Sequence, residues 1–201
     1  MQSLHPFRGS IEEYLQEISD PARYRPDHCP LCQTRDPLRA HGFYCRTLVD
    51  LHYDGSIPVR RYLCVLCKRT VSLLPDFVLP YLRFSIRVIG LFLVSRLLSK
   101  CSLEKAAAAA FQPNMPYQRG QFWVRRFKQE ARGLCAALAS LTSVAPAEDF
   151  LTRALQMVEA VGWIAAHRFL FGVVRVHLLG WPRFLIPYGC PFQLLPGFIP
   201  S

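Results

Sequence analysis

The chain has 201 residues, of which 51% are hydrophobic and 19% are charged, and this composition excludes a disordered chain because it can form a buried core. Its formal net charge of +10 favours a polyanionic partner, either nucleic acid or an anionic membrane surface. The sequence predicts an α+β fold in four segments: a helical lead-in at residues 1–25, a β-rich segment at 26–76, a helical domain at 77–142 and a helical, aromatic-rich segment at 143–201. The β-rich segment contains two Cys-x-x-Cys pairs, at 29–32 and 64–67, and is therefore predicted to be a zinc ribbon.

The lead-in is predicted to contain one short helix, because Ser10 is followed three residues later by Glu13 and this spacing is typical of a capping box. The N-terminal segment has no apolar h-region and instead contains several acidic residues, which argues against an export signal. No apolar run approaches the roughly 20 uninterrupted residues that a membrane span needs. We therefore expect a cytoplasmic, nucleoid-associated protein with no membrane partner.

Two pairs of cysteines form the most informative motif of the chain. In each pair two residues separate the thiols, so that one tight turn directs both sulfurs to one ion. The 31 residues between the pairs are enough for a β-hairpin, for which we predict strands at 38–49 and 57–63 and a turn at Asp54 and Gly55. A third short strand is predicted at 70–74. The pattern predicts one structural Zn²⁺ ion held by Cys29, Cys32, Cys64 and Cys67, with His28, His41 and Cys45 as weaker alternative ligands.

Three helices are predicted after the ribbon. Apolar residues recur at helical spacing over residues 85–100, and Ser102 is placed to cap a second helix that contains five consecutive alanines. Two prolines within residues 112–116 end that helix, and a third helix is predicted from Tyr117 to about residue 141. A short helix, a turn and a longer basic helix are the outline of a helix-turn-helix.

Positive charge is concentrated on the second and third segments. Between Arg83 and Arg132 there are ten Lys or Arg and two Glu, a balance of +8. In a helix-turn-helix the N-terminal turns of the longer helix, here the third predicted helix, read base edges. Cations further along that helix contact phosphate. We expect base contacts from Tyr117, Gln118, Arg119 and Gln121, and phosphate contacts from Arg125, Arg126, Lys128 and Arg132. The ribbon adds the candidate cations Arg60, Arg61, Lys68 and Arg69.

The run CVLCKRTVSLLPDFVLPY at residues 64–81 resembles a family of short bacterial proteins of mobile elements, which join a zinc ribbon to a helix-turn-helix and are described as being of unknown function or transposase-like. The arrangement is also similar to the N-terminal region of several insertion-sequence transposases. The resemblance covers roughly residues 26–135. It implies recognition of transposon-end double-stranded DNA and a role as an accessory or regulatory factor.

Transposases of that kind carry a nuclease domain with three carboxylates, and this chain departs from that pattern. After residue 130 the only acidic residues are Glu148, Asp149 and Glu159, all within one predicted helical region. A two-metal nuclease needs carboxylates from separate elements to hold ions about 4 Å apart. No phosphate-binding glycine motif is present either. We therefore expect that the protein is not an enzyme.

The last segment is predicted to contain a helix at about residues 147–167, followed by an apolar stretch with many aromatic residues. It includes Trp163, Phe169, Phe171, Trp181, Phe184, Tyr188 and Phe192. These side chains either pack on the helical domain or form a docking surface for a second copy or for another mobile-element protein. The alternative to DNA binding is therefore a protein–protein adaptor that uses the ribbon and this aromatic segment.

Overall fold

A computed structural model of the protein describes residues 1–144 and 147–180. The fold is α+β, as the sequence predicts: a four-stranded sheet is followed by helices. The strands are β1 (Gln2–His5), β2 (Leu38–Val49), β3 (Asp54–Cys64) and β4 (Thr70–Pro75), and their order in the sheet is β1-β4-β3-β2. The β2–β3 and β3–β4 pairs are antiparallel, whereas β1 lies parallel to β4.

The β2–β3 hairpin follows the predicted strands closely. Its register runs from Leu38 opposite Cys64 to Val49 opposite Asp54, with a bulge near Gly42, whose φ of 86° suits a residue without a side chain. The predicted turn position is wrong by a few residues. Residues 50–53 make the turn, closed by a 2.7 Å hydrogen bond from the Asp50 amide to the Tyr53 carbonyl, and Asp54 already belongs to β3.

The N-terminal segment contains a strand as well as the predicted helix. Residues 2–5 pair with β4, a long-range contact that the local sequence does not indicate. Ser10 caps the N-terminus of helix α1 (Ile11–Glu17), and both hydrogen bonds of the predicted capping box are present. Its Tyr14 is fully buried and donates from its hydroxyl to the Pro58 carbonyl at 2.8 Å, which fastens the helix to β3.

Helices form the second half of the protein. They are α2 (Ile86–Leu93), which continues as a π-helical segment (Val94–Leu98), α3 (Leu103–Ala109), α4 (Tyr117–Leu138), α5 (Phe150–Val161) and α6 (Trp163–Phe169), which continues as a second π-helical segment (Leu170–Val174). The predicted cap at Ser102 is confirmed. The single helix predicted at about 147–167 is instead two helices, because Gly162 adopts a φ of 88° between them.

The helices share one hydrophobic core. Trp123 and Phe127 of α4 are fully buried, and the Trp123 ring packs edge-on against Phe92 of α2, with ring centroids 5.2 Å apart. Trp163 of α6 lies against Gly90 of α2, so close that a methyl group at Gly90 would come within 2.8 Å of the indole. Helices α2, α3, α4 and α6 are therefore held as one packed unit.

Within the described residues, no single helix has the length and apolar character needed to cross a membrane. Two consecutive helical segments, Phe150–Val161 and Trp163–Val174, meet that requirement together, but with a 100° bend between them.

Candidate functional site

Four cysteines converge at one end of the β2–β3 hairpin. The sulfur atoms of Cys29, Cys32, Cys64 and Cys67 all lie within 4.8 Å of one another. Two sulfur pairs that join the two motifs are 3.8 Å (Cys29–Cys67) and 3.6 Å (Cys32–Cys64) apart. A tetrahedral ion with metal–sulfur bonds of about 2.3 Å requires sulfur atoms about 3.8 Å apart. The four thiols could therefore hold one metal ion with little rearrangement.

The two cysteine turns have the same backbone geometry. In the first, the Cys29 amide bonds the Thr34 carbonyl at 3.0 Å; in the second, the Cys64 amide bonds the Arg69 carbonyl at 3.0 Å. The residue after each second cysteine, Gln33 or Lys68, has a φ of 58°. Both cysteine pairs therefore have the same local backbone geometry, which is the arrangement expected of two knuckles that bind one ion.

Strand pairing brings the two knuckles together. Cys64 ends β3 opposite Leu38, the first residue of β2, and the Val65 amide donates to the Pro37 carbonyl at 2.9 Å. The first knuckle precedes β2 and the second follows β3, so closing the hairpin also closes the sulfur cluster. Cys29 and Cys64 are fully buried, Cys67 is half-buried and Cys32 is exposed.

The sulfur of Cys32 has a polar neighbour. The Thr34 hydroxyl lies 3.4 Å from its Sγ, and the hydroxyl and amide of Thr34 together lower the pKa of the metal-free Cys32 thiol to about 6. A thiol that is readily deprotonated is a better metal ligand, because the thiolate is the form that binds. Thr34 was not among the predicted site residues. Its signal in the sequence is a hydroxyl residue two positions after a knuckle cysteine.

The alternative ligands are not at the cluster. Among the described residues, the group that could hold a metal comprises the four cysteines, without His28, His41 or Cys45. Four thiolates are soft donors and suit zinc, and they would leave no open position for water or substrate. One ion with a charge of +2 and four thiolates would carry a net charge of −2, which the exposed cations Lys68 and Arg69 next to Cys67 would partly offset.

The second candidate site is one face of α4. Residues three and four positions apart lie on the same side of a helix, so the exposed positions 118, 121, 125, 128 and 132 form one stripe. We call this set the α4 stripe: Gln118, Gln121, Arg125, Lys128 and Arg132. The opposite side carries the buried Trp123 and Phe127. The stripe therefore presents two amides followed by three cations to solvent.

Two further predicted contact residues flank the stripe near the start of α4. Tyr117, the first residue of the helix, is 60% exposed. Arg119 is exposed but projects about 100° around the helix from Gln118. Both remain candidate contacts at the N-terminal end of α4, where a turn of helix is accessible on several sides.

Arg126 does not belong to this surface, and its predicted phosphate contact is corrected. The side chain is half-buried and its Nε donates to the carbonyl of Leu179 at 2.7 Å. The physical reason is helical geometry, because Arg126 projects toward the C-terminal segment whereas its neighbour Arg125 projects into solvent. The guanidinium is already used within the protein.

On β3, the predicted DNA contact of Arg60 is also corrected. Arg60 is only 6% exposed. Its guanidinium donates to the Ile18 carbonyl at 2.7 Å and to the Ser19 carbonyl at 2.5 Å. The guanidinium carbon also lies 3.8 Å from the centre of the Phe43 ring. Arg60 thus ties α1 to the sheet. Lys68 and Arg69 are exposed beside the second knuckle, and Arg61 is half-buried.

The predicted docking surface in the last segment is only partly described. Phe171 is buried, and Trp163 and Phe169 are half-buried against the helical core. Trp181, Phe184, Tyr188 and Phe192 lie outside the described residues.

Comparison with known protein families matches part of the chain. Residues 29–111 match the model of a protein family described as "Domain of unknown function (DUF6431)". The matched region begins at the first knuckle cysteine, includes β2, β3, β4, α2 and α3, and ends before α4. No curated protein and no solved structure matches the chain.

Proposed function

We propose that this protein binds double-stranded DNA through α4, with the cysteine cluster holding one structural zinc ion. The observation that carries the proposal is the α4 stripe, where amide and cationic side chains share one exposed face of a 22-residue helix. Amides and guanidinium groups are the side chains that read base edges and neutralise phosphates. The overall charge of +10 supports the same partner class.

The arrangement of α2, α3 and α4 supports a helix-turn-helix. Helix α3 is short, residues 110–116 connect it to α4, and Gly120 of α4 lies in close contact with Phe92 of α2 and Leu103 of α3. In this mode the first turns of α4 enter the major groove, so Gln118 and Gln121 would face base edges. Arg125, Lys128 and Arg132 lie further along the same face and would contact phosphates.

Zinc has a structural role in this proposal. With four thiolate ligands the ion has no free coordination position, so it would fix the two knuckles to each other without activating water. No step of chemistry is assigned to the protein, and we expect it to lack enzymatic activity. The resemblance of residues 64–81 to mobile-element proteins supports the narrower proposal of an accessory or regulatory factor that acts at the ends of such an element.

The test is DNA binding by the zinc-loaded chain, measured across a series of salt concentrations on DNA that flanks its own gene and on scrambled DNA. Replacing the three stripe cations (R125A, K128A and R132A together) should reduce the slope of log K against log salt by about 2.7, which is about 0.9 for each phosphate that is no longer neutralised. A matched control replaces three exposed arginines elsewhere (R8A, R39A and R153A) and should leave most of the slope intact.

Two results would count against the proposal. If the stripe variant binds DNA with unchanged affinity and slope, α4 is not the binding surface. If the unmodified chain does not prefer DNA over a neutral competitor, DNA is not its partner. Selective binding to the flanking DNA over scrambled DNA would support base reading by α4 and the mobile-element role.

The exposed tip of the knuckles favours a second candidate function, a protein–protein adaptor. Leu66 is 60% exposed, and Leu31 and Val65 are also exposed, so that each cysteine turn presents apolar side chains between its two cysteines. Exposed apolar groups of this kind are typical of protein contacts. An adaptor should retain partner binding when the three stripe cations are removed and lose it in L66S, which co-purification with tagged wild-type and variant chains would measure.

A further inference from the structure

The β2–β3 hairpin connects the two candidate sites, and its turn end is fixed to the helices. The Gln112 side-chain amide, in the α3–α4 connection, donates to the Asp50 carbonyl at 3.2 Å. Phe111, in the same connection, packs edge-on against His52 with ring centroids 5.1 Å apart. The hairpin turn therefore lies directly beside the residues that lead into the first turn of α4.

A second set of contacts also fastens this end of the hairpin to the start of α2. The Ser85 hydroxyl, which caps α2, also bonds the buried carboxylate of Asp50. The amides of Val49 and Ser85 donate hydrogen bonds to the carbonyls of Arg83 and Val49 at 2.9 and 2.8 Å. One terminal nitrogen of the Arg83 guanidinium in turn donates to both carboxylate oxygens of Asp54, each at 2.8 Å. These contacts fasten the turn end of the hairpin to the residues that lead into α2.

The cysteine cluster lies at the opposite end of the same hairpin. Strand β3 has 11 residues, from Asp54 beside the turn to Cys64 in the cluster. At about 3.3 Å per residue a strand of this length extends roughly 33 Å. Pairing with both β2 and β4 makes β3 an interior strand, so this distance is set by a sheet and not by a flexible linker.

The far end of the hairpin carries two exposed cations. Lys68 and Arg69 follow the last knuckle cysteine, and no carboxylate within residues 1–144 and 147–180 makes an ion pair with either. Both are long side chains with a cationic end group, of the kind that neutralises backbone phosphates.

We propose that Lys68 and Arg69, beside the second cysteine pair, contact the DNA backbone about one helical turn away from the major groove that α4 occupies. This inference rests on the proposed DNA-binding function. One turn of B-DNA is about 34–36 Å long, which matches the length of the hairpin. Lys68 and Arg69 contact phosphates at this second position and contribute affinity and orientation, while base reading stays with α4. The hairpin acts as a spacer between the two contacts.

The test is hydroxyl-radical footprinting of the zinc-loaded full chain on the DNA fragment that it binds most tightly. The wild-type chain should protect two stretches of backbone whose centres lie about 10 base pairs apart. The variant K68G/R69A should lose the distal stretch, keep the proximal one, and reduce the salt slope by about 1.8. Lys68 has a φ of 58°, so glycine suits its backbone, and the zinc content of the variant verifies that the knuckle is intact.

A matched control is K100G/R153A. Lys100 is also an exposed lysine in the left-handed region, with a φ of 54°, and Arg153 is an exposed arginine on α5. This control should retain the distal stretch. One continuous protected stretch that K68G/R69A leaves unchanged would overturn the two-contact inference while leaving DNA binding by α4 intact. Failure of the wild-type chain to bind any DNA would instead overturn the proposed function itself.

Discussion

Arg126 on α4 donates a 2.7 Å hydrogen bond from Nε to the carbonyl oxygen of Leu179, 53 residues further along the chain. Gly180 follows, and a methyl group at that position would collide with the side chains of Arg126 and Glu130. Burial raises the pKa of Glu130, and the positive charge of Arg126 lowers it in part. The flank of the basic helix therefore anchors the segment around Leu179 and Gly180, while the adjacent face remains exposed.

Substitution of Arg125 should consequently reduce DNA affinity, whereas substitution of its neighbour Arg126 should reduce stability. R125A should weaken DNA binding about fivefold at physiological salt, the value expected when one phosphate is no longer neutralised, with little change in stability. R126A should cost about 2 kcal/mol of unfolding free energy, because it removes a charge-assisted hydrogen bond to a half-buried carbonyl. DNA titration and thermal unfolding of both variants measure the two effects. An R126A variant that loses DNA affinity but no stability would show that the guanidinium serves DNA instead.

Metal binding should depend on Cys64 and not on Cys45. The wild-type chain should contain one zinc per folded molecule by elemental analysis. C64S should contain well under one and should lose at least about 3 kcal/mol of stability, because the ion links the knuckles before β2 and after β3. C45S is the matched control, since Cys45 is an exposed cysteine on β2 outside the cluster. Equal zinc contents in C64S and wild type would contradict the assignment.

Stability should fall as the pH falls below about 6.5, because buried histidines resist protonation. Burial is the main cause that lowers the pKa of His177 to about 4 and that of His167 to about 3. The Leu179 amide donates to Nδ1 of His177 and the ring faces the Pro80 carbonyl with Nε2, so the folded protein holds this ring neutral. Below about pH 6.5 the unfolded chain binds protons that the folded chain does not, which favours unfolding.

Each such histidine should remove about 1 kcal/mol of unfolding free energy between about pH 6 and pH 5. H177Q keeps an amide donor near the Pro80 carbonyl but cannot titrate, so its stability should vary less with pH by about that amount. Urea unfolding at the two pH values, with zinc in excess, measures the difference. The control is H41Q, at an exposed position on β2, and it should retain the pH dependence of the wild-type chain.

Two glycines of α4 should give opposite results when replaced by alanine. At Gly120 a methyl group would come within 2.6 Å of the ring of the buried Phe92, whereas at Gly133 it would meet no atom within 4 Å. G120A should therefore destabilise by about 1–3 kcal/mol through overpacking. G133A should stabilise by about 0.5–1 kcal/mol, because alanine is the better helix former. Thermal unfolding of both variants tests the packing of α2 against α4, and a stabilised G120A would contradict it.

Where local signals are strong, the sequence predicted the structure well. The predicted strand at 38–49 coincides with β2, and the caps at Ser10 and Ser102 are present, because a strand's residue pattern and a cap's hydroxyl act within a few residues. The four cysteines were likewise identifiable, because two residues between thiols is a local geometric requirement of a knuckle.

What the sequence left open depends on which distant residues meet. Strand β1 forms because residues 2–5 pair with β4, about 70 positions later in the chain. Arg60 donates a hydrogen bond to the carbonyl of Ile18, at the end of α1, and Arg126 donates one to the carbonyl of Leu179. An arginine in a sequence has the same charge whether it faces solvent or a buried carbonyl. The sequence by itself identified the four cysteines that could hold a metal ion and most helix and strand positions, whereas only the tertiary structure decided which cations remain exposed and that an 11-residue strand separates the cysteine cluster from the turn beside the α3–α4 connection. The physical reason is that knuckles and caps form from neighbouring residues, while burial and spacing arise from packing between distant ones.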